Sequence, residues 1–69
     1  MKEIKIDTEF IKLDQLLKYS GFAQTGVQSK IIIKEGLISV NDEIVTERGK
    51  KIRKGDIVKI KDVGEFVVV

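Results

Sequence analysis

The sequence predicts an α+β fold in which two helices stack on a small, mostly antiparallel sheet. Three observations carry this. Apolar residues recur at helical spacing from Phe10 to Leu17, and a second breaker-free stretch, Val27 to Glu35, lies between a capping residue, Thr25, and Gly36. From Leu37 onward the period changes to two, in short runs separated by turn residues. A strand, two helices and then further strands is the order of an α+β unit.

Each element has its own local reason. Glu3-Ile4-Lys5-Ile6 alternates polar and apolar, as a half-buried strand does, and is expected to pair with a later strand. Phe10, Leu13, Leu16 and Leu17 share one helical face, so a helix is expected over residues 10 to 19, capped by Thr8 and stopped by Gly21. In the second helix Ile32, Ser29 and Ile33 span one arc and Val27 with Ile31 another, while Lys30 and Lys34 lie between them. A helix apolar on two sides is expected to be packed by two neighbours. Leu37 to Val45 reads as a hairpin turning at Asn41-Asp42, which tolerate the positive φ of a tight primed turn. Arg48 to Lys54 is then a loop, Lys54-Gly55-Asp56 a turn, Ile57 to Ile60 a strand, Val63-Gly64-Glu65 a turn and Phe66 to Val69 a terminal strand.

Composition narrows the chemistry. With 69 residues the chain is expected to form one domain over residues 1–69, and a core of that size leaves a thin stability margin. No Cys and no His are present, which excludes a disulfide, a zinc finger, a thiol nucleophile and an imidazole base. No metal or other cofactor is expected, and a non-catalytic role is. Hydrophobic content of 42%, charged content of 35% and a mean hydropathy of -0.03 fit a globular protein better than a membrane-spanning or disordered one. The start of the chain lacks the apolar stretch of a signal peptide, so a cytoplasmic, monomeric protein with no membrane partner is the expectation.

The net charge of +2 is unevenly placed. Residues 1 to 23 carry four basic and four acidic side chains, and the segment from 24 to 61 carries nine and five. Arg48-Gly49-Lys50-Lys51-Ile52-Arg53-Lys54 holds five cations in seven residues. As charge alone, such a run is equally a solvated turn and a polyanion site. Lys30 and Lys34 stand four residues apart, a mildly unfavourable spacing unless an anion lies over them, and read equally as a solubilising stripe.

Lys12-Leu13-Asp14-Gln15-Leu16-Leu17, Thr25-Gly26-Val27-Gln28-Ser29-Lys30 and Glu35-Gly36-Leu37-Ile38-Ser39-Val40-Asn41 together resemble the S4-type RNA-binding domain, or αL motif. Val40-Asn41-Asp42-Glu43 and the stretch from Arg48 to Asp56 are similar to small free-standing bacterial proteins made of this domain and little else. The resemblance implies two helices and a following hairpin loop that grip structured RNA, commonly ribosomal or transfer RNA. It implies a place in ribosome assembly or translation, with the ribosome as a partner. Carried over by position, the RNA contacts fall on Lys12, where the wider family usually has Arg before Leu-Asp, on Lys30, on Asn41, and on Arg48, Lys50, Lys51, Arg53 and Lys54. Thr25-Gly26 stands where that family often has Ser-Arg.

Elementary chemistry adds four positions. Thr25 and Gly26 open a helix whose free N–H groups and dipole end accept a phosphate, and Gly26 permits close backbone approach. Gln28 can donate to a phosphate or a 2′-OH, or is ordinary surface. Lys34 extends the stripe of Lys30. Eleven Lys against two Arg suit tracking of a backbone more than reading of bases. The aromatics Phe10, Tyr19, Phe22 and Phe66 sit in apolar or helix-end contexts that suit core packing. Asp14 suits the start of the first helix and Asp56 the turn that contains it.

Two other readings compete with RNA binding. One is a protein-interaction module that docks through the Val-rich last strand or the two-sided helix. The other is a β-grasp carrier, which needs a flexible Gly-Gly end, whereas this sequence ends Phe66-Val67-Val68-Val69.

Overall fold

The computed structural model describes residues 1–69. The elements are β1 (Lys2–Ile4), β2 (Phe10–Lys12), α1 (Leu13–Tyr19), α2 (Gly26–Lys34), β3 (Ile38–Val40), β4 (Glu43–Ile44), β5 (Lys51–Arg53), β6 (Ile57–Ile60) and β7 (Gly64–Val68). Five strands form one sheet in the order β1-β7-β6-β3-β4, and β2 pairs with β5 in a separate ribbon. Every pairing is antiparallel except that of β1 with β7. This is the expected α+β arrangement of two helices and a mostly antiparallel sheet.

Period-two alternation puts Ile38 and Val40, Val58 and Ile60, and Phe66 and Val68 on one face of the sheet, and all six are buried. They join Leu13, Leu16 and Leu17 of α1 and Ile33 of α2 in a cluster of 14 buried apolar residues. Full burial of one such side chain is worth about 1.5–3 kcal/mol, so this cluster is the main source of stability in a chain without cross-links. Phe22 stacks on Phe66 with ring centroids 5.6 Å apart and closes the cluster at one end.

Helix α2 is capped as its sequence suggests. Thr25 Oγ1 accepts from the Gln28 N–H at 3.1 Å, and Gly36 follows the helix at φ 75°. The hairpin turns at Asn41 (φ 52°) and Asp42 (φ 71°), the left-handed pair that a primed turn requires. The last strand pairs with the first, Ile4 opposite Val68, so β7 lies between β1 and β6 and offers no free edge.

Five expectations fail. The first helix begins at Leu13, not residue 10, because Phe10-Ile11-Lys12 finds a strand partner in Lys51-Ile52-Arg53. Thr8 does not cap it. Its hydroxyl donates to the Phe10 carbonyl at 2.8 Å, in the bend before β2. The basic run is not wholly a loop, since residues 51–53 are β5. The turn expected at residues 63 to 65 falls at 61–63, and Gly64 already belongs to β7. Finally, α2 is packed on one side only: Ser29 and Ile33 are buried, whereas Val27 is 69% and Ile31 53% exposed.

Candidate nucleic-acid interface

The β2–β5 ribbon displays the basic segment. Phe10 lies opposite Arg53, Ile11 opposite Ile52 and Lys12 opposite Lys51. Because side chains alternate, Ile11 and Ile52 turn to the core, and Phe10, Lys12, Lys51 and Arg53 share the other face. Phe10 is half-buried there. The Lys51 Nζ lies 4.8 Å and the Arg53 guanidinium carbon 5.7 Å from its ring centroid. The ring thus holds two cations over one patch, a use of Phe10 beyond core packing. The signal for it was the match of Phe10-Ile11-Lys12 with Lys51-Ile52-Arg53, two alternating triplets about 40 residues apart.

Like charges directly opposite each other on a ribbon are unfavourable. Lys12 and Lys51 nevertheless face each other, and neither has an ion-pair partner. The molecule's one ion pair joins Arg53 to Glu9 at 3.6 Å, between exposed side chains, where such pairs contribute little. Arg48, Lys50 and Lys54 are exposed without a carboxylate in range, as are Lys30 and Lys34 on α2.

The start of α1 joins these pieces. Its first N–H groups are taken up by the basic segment: the Leu13 N–H donates to the Lys50 carbonyl at 2.8 Å and the Asp14 N–H to the Arg48 carbonyl at 3.1 Å. The backbone of residues 48–50 is thereby fixed, and its side chains are left to solvent. On the other side the buried Ser29 hydroxyl of α2 donates to the Asp14 carbonyl at 3.2 Å. Asp14 is therefore the common anchor of α2 and the basic segment, and Lys30 follows Ser29 directly. The Asp14 carboxylate also accepts from the Gln15 N–H at 2.8 Å, the helix-start role its position suggests.

Asn41 is brought to the same region by a second anchor. Its Oδ1 accepts from the Ile57 N–H and its Nδ2 donates to Asp56 Oδ1, both at 3.0 Å. Asp56 Oδ2 accepts the Arg53 N–H at 2.8 Å. Asp56 thus ties the β3–β4 turn to the end of β5, which the reading of Asp56 as a turn residue only half captures. Asn41, Lys50, Lys51 and Arg53 line one depression of about 360 Å³.

At the start of α2, the N–H groups of Gly26 and Val27 have no partner in the chain. A Cβ at Gly26 would meet nothing within 4 Å, so nothing inside the fold requires glycine there. The Gln28 side-chain carbonyl accepts the Gln24 N–H at 2.8 Å, which commits part of its amide to helix capping. No helix is long and apolar enough to cross a membrane.

Known proteins resemble the chain over most of its length. A family model described as an S4 domain matches residues 4–69. The chain is 44% identical over 66 residues to the "Probable ribosome maturation protein RlbA" of Bacillus subtilis (strain 168), covering 96% of this chain and 93% of that protein. It is 35% identical over 51 residues to "Small ribosomal subunit protein uS4" of Wolbachia pipientis subsp. Culex pipiens (strain wPip), covering 74% of this chain and 25% of that protein. The match over residues 4–69, with the helices and basic ribbon that those residues build, places the chain in the S4-domain family.

Proposed function

We propose that the protein is a non-catalytic binder of structured RNA, ribosomal RNA foremost, and acts in the cytoplasm as a monomer during ribosome maturation. The observation that carries this is the unpaired confrontation of Lys12 and Lys51 on a ribbon whose neighbouring cation, Arg53, is held over Phe10. Phe10 steadies Lys51 but leaves its repulsion from Lys12 unrelieved, whereas a phosphate lying between the two ammonium groups converts repulsion into attraction. The relatives support the same reading: one is named a probable ribosome maturation protein and another a small ribosomal subunit protein.

On this reading Lys12, Lys51 and Arg53 form the centre of the interface, and Arg48, Lys50 and Lys54 extend it along the basic segment. Lys30 and Lys34 flank it from α2. The open N–H groups at Gly26, next to Thr25, take a phosphate where the wider family often uses Arg, and the free Gln28 amide hydrogens donate beside them. Asn41 acts chiefly through the turn it anchors. Recognition is of shape and backbone, because Lys carries most of the charge.

The test is the salt dependence of binding to a fragment of ribosomal RNA. If about six phosphates are contacted, log K against log salt falls with a slope near -4 to -5. Lys50→Ala and Arg53→Ala each flatten it by about one unit. Binding that ignores salt would refute the proposal.

A further inference from the structure

The depression beside the basic ribbon is lined by two carboxylates, of which Asp56 is engaged in the fold through both oxygens and the other has no partner. Glu43, on β4, lines it together with Asn41, Lys50, Lys51 and Arg53. It is exposed and makes no ion pair, although three cations share its depression. In a site that only held phosphates, this carboxylate would repel the ligand. An unpaired carboxylate accepts through both oxygens, so it suits a ligand edge with two adjacent N–H donors.

Resting on the RNA-binding reading above, we infer that this depression takes one unpaired guanine base, with Glu43 as the residue that selects it. Guanine presents an acceptor, O6, and then two donors, N1–H and N2–H, along its pairing edge. The Glu43 carboxylate accepts both donors, as carboxylates do in bidentate pairs. O6, on the same edge, meets a donor beside the carboxylate. Asn41 has one there, because its Nδ2 uses only one hydrogen, toward Asp56. Lys50 or Lys51 supplies another.

The other bases fit worse for reasons of the same kind. Uracil and cytosine each turn an O2 acceptor toward the carboxylate, and adenine turns its N1 lone pair toward it and offers one donor. Acceptors facing a carboxylate leave both unpaired, which is how a polar site rejects a near relative of its ligand. Unpaired bases in loops and bulges are the RNA groups whose pairing edges are open to side chains. Half-buried Val45 adds an apolar wall for the ring.

The experiment uses the whole chain and five hairpin RNAs that differ in a single bulged nucleotide: G, inosine, A, C or U. Affinity is read by fluorescence anisotropy over a range of salt. The G-bulged hairpin binds about tenfold tighter than those bulged with A, C or U, the discrimination of one bidentate contact. Inosine, which lacks the N2 amino group, falls between. Glu43→Gln, which puts a donor where an acceptor is needed, draws the five RNAs together. Lys50→Ala, by contrast, weakens all five. Equal, salt-dependent binding of all five by the unmodified protein overturns the assignment to guanine and leaves the backbone reading standing. Binding of none of them in a salt-dependent manner overturns both.

Discussion

Asn41 and Asp56 lie 15 residues apart in sequence and are joined by one hydrogen bond of 3.0 Å, through which the β3–β4 turn and the connection from β5 to β6 share one carboxylate. The other oxygen of that carboxylate holds the Arg53 N–H. Removing Asp56 therefore frees the end of β5 as well as the turn. Asp56→Ala is expected to lower stability by about 1–3 kcal/mol, the cost of stranding partners of a charged acceptor. In a domain this small that is a fall in Tm of roughly 4–8 °C per kcal/mol, measurable by thermal unfolding followed by circular dichroism. Asn41→Ala should cost about as much, since it strands the Ile57 N–H as well as Asp56 and puts Ala at φ 52°.

Lys12 and Lys51 give a prediction of opposite signs. Lys12→Glu replaces a like-charged cross-strand pair by an attractive one and leaves Lys51 over Phe10, so the protein gains about 0.2–1 kcal/mol at low salt. RNA affinity falls in the same variant, because one cation is lost and an anion takes its place. Urea titration and RNA binding on one preparation check both signs. A loss of stability would mean that the two ammonium groups do not repel in the free protein.

Ser29 is the contact that seats α2 on α1. Ser29→Ala removes one hydrogen bond and costs about 1 kcal/mol. Ser29→Leu forces a larger side chain between the helices, costs about 1–3 kcal/mol, and displaces Lys30 from the anchor at Asp14. The second variant is therefore expected to weaken RNA binding at temperatures where it is still folded, and the first is not. Chemical denaturation with a parallel binding assay separates them.

Gly36 sits at φ 75°, and a Cβ there would meet only Ile44 Cγ2, at an ordinary 3.8 Å. Its requirement is conformational rather than steric crowding by neighbours. Gly36→Ala should cost about 1 kcal/mol or somewhat more from the left-handed backbone alone, with RNA affinity at low temperature unchanged. Val27→Gln and Ile31→Gln, on the open side of α2, are expected to alter stability by no more than about 0.5 kcal/mol.

What could be read from the sequence was what neighbours in sequence determine. Thr25 and Gly36 bound α2, Asn41-Asp42 turns the hairpin, and the alternation of Ile57 to Ile60 sets a strand. The misreading of residues 10–12 has a different origin. Phe10 stands three residues before Leu13 and so mimics a helical face, but its pairing depends on residues 51–53, which no local pattern reveals. Val27 and Ile31 show the reverse error, an apolar arc that no neighbour covers. For the site, the cations were legible as a run. Their placement was not: it depends on Asp14 and Asp56, which are read locally as a helix-start and a turn residue but act as anchors between distant segments.

The parallel pairing of β1 with β7 has a consequence for biosynthesis. Residues 2–4 leave the translating ribosome well before residues 66–68, which they pair with, and β7 also supplies Phe66 to the core. Nascent chains of this sequence therefore remain incompletely folded until β7 has cleared the exit tunnel. Closure of the sheet waits on one long-range encounter.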